Sequence, residues 1–226
     1  MLFNKYLSII IPAYNEEKTL KEVVFNCLKF GNVIVVNDCS TDNSIKILRN
    51  NNYINLRILN NNNRLGYDAS LHRGIKFCLK KNFKYIITFD ADNQFYYKDI
   101  IKFVTYLKKG YDIVIGVRPY KQRFIENLYA FILNRKYGIK DPFCGFKAYN
   151  CKILKFNKSM FTYNSVGTEI FIKYLHNIKK IKQIKQIKIK IKPRLDKPRF
   201  GNILSGNYKL LLAIINGYKI IKSKHP

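Results

Sequence analysis

The stretch YIITFDADNQF (Tyr85–Phe95) runs through a short, β-branched apolar segment and then presents two aspartates, Asp90 and Asp92, one residue apart. No basic residue stands within it. At the end of a buried strand the chain can bend so that both carboxylates approach one point, where they repel each other unless a cation sits between them. A hard divalent ion, Mg2+ or Mn2+, meets that need, and Gln94 offers a neutral carbonyl oxygen to the same ion. Such an ion keeps positions open for water and substrate phosphates, so the pair points to a metal–diphosphate complex. Asp-x-Asp alone fits two solvated loop acids or a helix cap equally well. Its surroundings decide its weight.

Those surroundings alternate regularly. Leu7–Ala13, Val33–Asp38, Leu56–Asn60, Tyr85–Ala91 and Asp112–Arg118 read as short buried strands. Between them Glu16–Phe30, Asp42–Asn50, Gly66–Lys81 and Asp99–Lys109 read as helices, the first with Leu20, Val23, Val24, Cys27 and Leu28 on one face. Strands and helices joined by short loops imply βαβ units and a mostly parallel central sheet flanked by helices. In such sheets the ligand lies beyond the carboxyl ends of the strands. Polar residues gather there: Tyr14, Asn15 and Glu16 after the first strand, Asn37 and Asp38 after the second, Asp90 and Asp92 after the fourth, Arg118 after the fifth. Acids at such ends suit hydrogen bonds to ribose hydroxyls and base N–H groups, and a nucleotide with a metal-bound diphosphate is the natural ligand. The first strand is not followed by GxGxxG, which argues against a dinucleotide site, and there is no GxxxxGK[ST] phosphate loop.

After Arg118 the character changes. Gln122–Gly138 predicts an amphipathic helix with Phe124, Ile125, Leu128, Tyr129 and Ile132 on one face and Arg123, Arg135 and Lys136 at its ends. DPFCGFKAYN (Asp141–Asn150) reads as loop then strand, and Val166–Asn177 as a helix. From Ile187 the chain alternates strictly between isoleucine and lysine, as an outer strand with a solvated basic face does. Ile203–Lys222 is a second amphipathic stretch.

The 226 residues carry a net charge of +28, and the part from Cys151 to Pro226 holds 18 Lys and Arg against 2 acidic residues. Such an excess favours a polyanionic partner, whether nucleic acid, anionic lipid or a phosphorylated substrate. A Lys-, Ile- and Asn-rich composition of the kind coding bias produces accounts for the excess equally well. No run approaches 18 apolar residues, and the N-terminus lacks the layout of a signal peptide. The five cysteines, without a CxxC pair, read as reduced thiols of a cytosolic protein, with no zinc site.

An ordered set of segments carries a resemblance over roughly residues 6 to 205. IPAYNEE (Ile11–Glu17), VVNDCSTD (Val35–Asp42), LGYDASLHRG (Leu65–Gly74), FDADNQF (Phe89–Phe95), GVR (Gly116–Arg118), DPFCGFKA (Asp141–Ala148) and PRFG (Pro198–Gly201) together resemble family 2 inverting glycosyltransferases. The branch they look most like is that of the polyprenyl-phosphate sugar transferases. The resemblance implies a single A-type glycosyltransferase fold, α/β, with amphipathic interfacial helices toward the C-terminal half. It implies that Pro12, Tyr14, Glu16 and Asp38 hold the nucleotide base and ribose, and that Asp90 contacts the ribose or diphosphate. Asp90, Asp92 and Gln94 would bind the metal, Arg118 would face the acceptor phosphate, Asp141 would sit near the acceptor or metal, and Arg199 would close over the donor diphosphate; Arg123, Arg135 or Lys136, nearby in sequence, could add to the cations at the acceptor phosphate. The chain departs from the family pattern at several points. Asn37 stands for a usual Asp, Cys39 and Asn93 for Gly, Asp68 for a small residue, Cys144 for Ser or Thr, and Lys147 for Arg. These leave every proposed metal carboxylate in place.

The implied reaction is metal-dependent, inverting transfer of a hexose from a GDP-mannose or UDP-glucose type of donor to a polyprenyl (dolichyl) phosphate. An anionic phosphate acceptor needs cations rather than a base; a hydroxyl acceptor of a glycan would need one, and Asp141 is the candidate. Residues 1–118 would form the nucleotide-sugar half, 119–202 the acceptor part of the same domain, and 203–226 a basic amphipathic segment. The protein would then be cytoplasmic and peripheral, on the cytoplasmic face of an anionic membrane, with room for an anchoring partner. A nucleotidyltransferase would bring a Gly-rich basic loop where IPAYNEE is acidic. A charge-driven nucleic-acid binder leaves the acids at three strand ends unexplained.

Overall fold

The computed structural model describes residues 4–50, 53–120, 124–155 and 183–194, with Glu169, Ile170, Lys173, Tyr174 and Ile215. Seven strands form one sheet: β1 (Asn4–Ala13), β2 (Gly31–Asn37), β3 (Leu56–Asn60), β4 (Tyr85–Thr88), β5 (Ile113–Val117), β6 (Lys147–Asn150) and β7 (Ile184–Lys188). Their order is β3-β2-β1-β4-β6-β5-β7. The helices are α1 (Leu20–Leu28), α2 (Ser44–Arg49), α3 (Tyr67–Lys80), α4 (Ile100–Lys108), α5 (Phe124–Tyr137) and α6 (Cys151–Lys155).

Strand alternation sorts the core. Along β1, Ile9 and Ile11 join a cluster with Leu20, Val24 and Phe103, while Ile10 joins one with Leu71, Ile75 and Tyr129. Successive side chains point to opposite faces, so a strand covered on both sides reads as a continuous apolar run. The first cluster packs α1, α2 and α4 on one face of the sheet; the second packs α3, α5 and α6 on the other. Gly74 of α3 permits the closest approach, since a Cβ there would lie 2.5 Å from Ile10 Cγ2.

The alternating α/β architecture expected from the sequence is present, with four differences. First, β6 runs antiparallel between β4 and β5. It is four residues long and enters from a loop instead of a crossover helix, so it needs no parallel connection. Second, the fourth strand ends at Thr88, three residues before the expected Ala91, because the chain turns at Asp90–Asp92. Third, α5 buries Tyr129, Ala130 and Leu133 and leaves Leu128, Phe131 and Ile132 exposed by 52%, 60% and 43%. The expected face is thereby split, because this helix is apolar nearly all round and periodicity alone cannot choose its buried side. Fourth, the strand expected from Ile187 onward is edge strand β7, which begins earlier, at Ile184, and ends at Lys188 beside β5. Ile203–Lys222 lies outside the described residues apart from Ile215, as does most of Val166–Asn177.

Candidate active site

From β1 the chain builds β2 and β3 to one side, whereas β4 lies on the other side of β1. This change of direction opens a crevice at the carboxyl ends of β1 and β4, where ligands of open α/β sheets bind. The three loops leaving β1, β2 and β4 each contain one left-handed, non-glycine residue: Asn15 (φ 54°), Cys39 (φ 62°) and Asn93 (φ 60°). Each turns the chain sharply, so the polar residues after the strands face the crevice instead of continuing the sheet. The first two loops are laced together. Asn15 N donates to Ser40 Oγ (3.0 Å), Thr41 N donates to Asn15 Oδ1 (2.8 Å), and Glu16 N donates to Ser44 Oγ (2.8 Å).

Asp90 and Asp92 flank this crevice. Tyr67 of α3 donates its hydroxyl to Asp90 Oδ1 at 3.0 Å, and Gln94 N donates to Asp92 Oδ1 at 3.1 Å. The Asp90 carboxylate packs directly against Gly145, where any Cβ would collide with both of its oxygens. Burial, then the neighbouring charge of Asp92, pushes the Asp90 carboxyl up to about 6, against the Tyr67 hydrogen bond, which lowers it. Burial also raises Asp92, against the pull of Arg194. Thr19 Oγ1 donates to Ala91 O at 2.7 Å and fastens the turn to the start of α1. Beneath it lies an aromatic cluster in which Phe89 and Phe95 pack on Phe146, and Phe146 stacks on Phe103 at 3.9 Å. Two desolvated carboxylates and an amide, on a turn fixed from below, suit a hard divalent cation. Among the described residues no three or more His, Cys, Asp or Glu side chains assemble into a metal cage. Two carboxylates and an amide would leave the rest of a divalent ion's shell to water and phosphate.

Asp38 is held differently. Its Oδ1 accepts from Asn61 Nδ2 and Leu65 N, and its Oδ2 from Gly66 N, each at 2.8 Å. The carboxylate thereby pins the loop before α3, whose Gly66 has φ 93°. Pro12 is buried in β1, and Tyr14 is half-buried with the Arg64 guanidinium 4.1 Å above its ring.

At the carboxyl end of β5, near Asp90, Arg118 and Asp141 meet as a fork. Arg118 Nε donates to Asp141 Oδ2 (2.8 Å) and Nη2 to Oδ1 (2.9 Å), and the Arg118 backbone N also reaches Oδ2 (3.0 Å). Nη2 donates further to Glu126 Oε2 on α5 at 2.9 Å. Burial disfavours the Arg118 charge, but the bonds and charges of Asp141 and Glu126 outweigh it and hold the guanidinium firmly protonated. Close by, Lys147 is buried and donates Nζ to Cys144 O at 2.6 Å; burial lowers it below the usual lysine range. Arg135 sits exposed in the last turn of α5. Arg199 lies outside the described residues.

The crevice also contains an arginine that the sequence did not mark. After β7 the chain pairs with the segment beyond Asp92: Lys192 N donates to Gln94 O at 2.8 Å, and Ile191 bridges Phe95. This register delivers Arg194, whose Nη1 lies 3.0 Å from Asp92 Oδ2 and Nη2 3.6 Å from Glu16 Oε1. Local sequence could not reveal it, since Arg194 lies about a hundred residues from its partner. Tyr67 and Glu126 were also missed, because their bonds to Asp90 and Arg118 depend on how α3 and α5 pack on the sheet.

The sequence pattern of "Glycosyl transferase family 2" matches residues 8–154. The chain belongs to that family. It is 30% identical over 182 residues to a dolichyl-phosphate beta-glucosyltransferase of Dictyostelium discoideum, a match covering 65% of this chain and 54% of that one. It is 29% identical over 168 residues to an undecaprenyl-phosphate 4-deoxy-4-formamido-L-arabinose transferase of Pseudomonas aeruginosa, covering 66% and 48%. The chain thus spans about half the length of these two relatives. Glucosyl-3-phosphoglycerate synthase from Mycobacterium tuberculosis, solved with Mn2+ and UDP-glucose, superposes with a TM-score of 0.75 at 16% identity, over 98% of this chain and 81% of that one. That likeness establishes the fold. This family 2 glycosyltransferase has the A-type fold expected from its ordered segments.

Proposed function

We propose that this glycosyltransferase transfers a hexose from a nucleotide-diphosphate sugar to a polyprenyl phosphate at a membrane surface, with inversion, using a Mg2+ or Mn2+ ion held by Asp90, Asp92 and Gln94. The observation that carries the reading is the desolvated pair Asp90–Asp92 at the switch point of the sheet. When bound, the ion would offset charge developing on the departing nucleoside diphosphate. Tyr67 orients Asp90, and Gly145 leaves room for its carboxylate. Pro12, Tyr14 and Glu16 are read as the wall for base and ribose, and Asp38 as the residue that fixes the loop completing it. Arg199 is kept as a candidate for the donor diphosphate.

The acceptor reading rests on Asp141. Both its oxygens are engaged by Arg118, which leaves the carboxylate poorly placed to take a proton from a hydroxyl. A phosphate acceptor is already anionic and needs no base. Two of the relatives are named for polyprenyl-phosphate acceptors, which supports this choice. Asp141 then serves as a positioning residue for Arg118, and Arg118 and Arg135 are read as the acceptor's cations. The exposed Leu128, Phe131 and Ile132 on α5, followed by Arg135 and Lys136, form a surface suited to an anionic bilayer. Basic residues there contribute roughly 1 kcal/mol each to binding acidic lipid. Among the described residues no helix is long and apolar enough to cross a membrane. We read the location as the cytoplasmic face.

The test is transfer of labelled sugar from UDP-glucose and, separately, GDP-mannose to a short polyprenyl phosphate, with Mg2+ or Mn2+, with EDTA, and with Asp92→Asn. Metal-dependent transfer that is lost in the variant supports the whole reading. Metal-dependent donor hydrolysis without transfer moves the acceptor to a hydroxyl. Absence of nucleotide-sugar binding removes the donor reading.

A further inference from the structure

Arg194 is poorly matched to its carboxylates. It touches Asp92 through Nη1 and Glu16 through Nη2, and among the described residues its buried Nε has no hydrogen-bond partner. Arg118 shows what a well-fitted pair looks like in the same protein, with two parallel bonds to one carboxylate. A guanidinium that leaves a buried donor unmet is held by charge rather than by fit. What it does achieve is to cover Asp92 Oδ2, whereas Asp92 Oδ1 already accepts from Gln94 N. The segment that carries Arg194 is itself tethered to the Asp92 turn, because Lys192 N bonds Gln94 O and Lys192 Nζ bonds Asn93 Oδ1 at 3.2 Å.

We propose that Arg194 is a place-holder for the divalent cation: it neutralises Asp92 in the unliganded enzyme and must leave Asp92 Oδ2 for an ion to bind there. This rests on the reading of Asp90–Asp92 as a cation site. A guanidinium 3.0 Å from Asp92 Oδ2 and a divalent ion on the same oxygen would be two cations a few ångströms apart, and they repel. Cation binding therefore carries the cost of freeing Arg194. The freed guanidinium, still tethered through Lys192, meets the donor's diphosphate when that is present and recovers an anionic partner. Cation and nucleoside diphosphate thus bind cooperatively, and by linkage each tightens the other. The device keeps the acids paired until both ligands arrive.

The experiment measures Mn2+ binding by the decline of the free-ion paramagnetic signal, with and without UDP. Arg194→Gln is expected to bind Mn2+ alone about tenfold more tightly than the native chain, and UDP is expected to enhance that binding less. Arg194→Lys, which keeps the charge but cannot span both acids, should fall between. A second measurement needs no variant: phenylglyoxal modification of Arg194 in the native protein, followed by mass spectrometry. It should be slow without ligand, faster with Mn2+ alone, and slow again with Mn2+ and UDP. Unchanged or weaker Mn2+ binding in Arg194→Gln, or a modification rate indifferent to Mn2+, overturns the place-holder while leaving the cation site standing. Absence of Mn2+ binding by the native protein with and without UDP overturns both.

Discussion

Two kinds of acid, at the ends of nearby strands of one sheet, have opposite surroundings. Asp38 receives three short hydrogen bonds, two from backbone amides, and so fixes a loop. Asp90 and Asp92 lie side by side, desolvated, with one hydroxyl, one amide and one ill-fitting guanidinium between them. Neither their sequence context nor their burial separates the two kinds. The number of donors each carboxylate already has does. A carboxylate saturated by the protein stabilises the fold; one left short of partners waits for a ligand.

Exchange of oxygen for nitrogen tests that contrast most sharply. Asp92→Asn is expected to lower kcat/KM for transfer by about 10³, or about 4 kcal/mol, with an unfolding midpoint close to that of the native chain. Asp38→Asn turns an amide donor toward the amides of Leu65 or Gly66 and should cost roughly 2 kcal/mol of stability, read as a lower thermal midpoint. If Asp38→Asn keeps its midpoint while Asp92→Asn loses it, the division between structural and ligand-binding acids is wrong.

Much of this site was legible in the sequence, and the limits are physical. Buried strands announce themselves by short β-branched runs, so the ends of β1, β2 and β4 could be located, and with them Glu16, Asp38, Asp90 and Asp92. Tertiary register is another matter. Nothing local to KAYN (Lys147–Asn150) tells that it inserts antiparallel between β4 and β5, since four residues carry no pattern. Arg118 and Asp141 were both marked, but not that they would clasp each other with Glu126. Arg194 went unseen because a pairing between Lys192 and Gln94 delivers it. Sequence periodicity finds which residues reach the rim; it does not count their partners once there.

The acceptor side extends the comparison, because Asp141 is saturated like Asp38 but by a charged group. Asp141→Asn leaves Arg118 buried with Glu126 as its remaining ion-pair partner among the described residues. Breaking a buried pair in this way costs roughly 3 kcal/mol, so the midpoint should fall by roughly 10 °C. A midpoint within 2 °C of the native value, measured by circular dichroism, would show that the fork contributes little.

Asp90 gives the contrast a pH signature. Folding raises its carboxyl from 3.8 to about 6. Between those values the folded chain holds a proton that the unfolded chain has shed. Stability from this group is therefore full below about 4 and declines as the pH rises through about 6. A cation competes with that proton, so Mn2+ binding should strengthen over the same rise. Asp90→Asn should flatten the stability change between pH 4 and 6. Denaturant unfolding across that interval, with and without the substitution, reads it directly; an equally steep decline in the variant would assign it to other groups.

The smallest expected effect concerns the residues that follow these acids. Cys39 and Asn93 occupy the same left-handed conformation after Asp38 and Asp92, at φ 62° and 60°. Asparagine tolerates that conformation through its short polar side chain, whereas a cysteine gains no such relief and bears roughly 1 kcal/mol of strain. Cys39→Gly removes the strain but loosens the unfolded chain, an opposing effect of roughly 0.5 kcal/mol. The balance predicts a midpoint about 1 °C higher. Asn93→Gly starts with less strain to relieve and should give no gain, and Cys39→Ala, which keeps a Cβ in the left-handed turn, should give none either. A rise in Cys39→Ala equal to that in Cys39→Gly would mean that the sulfur, in its 3.8 Å contact with Asn62 O, and not the backbone, is what the turn carries at a cost.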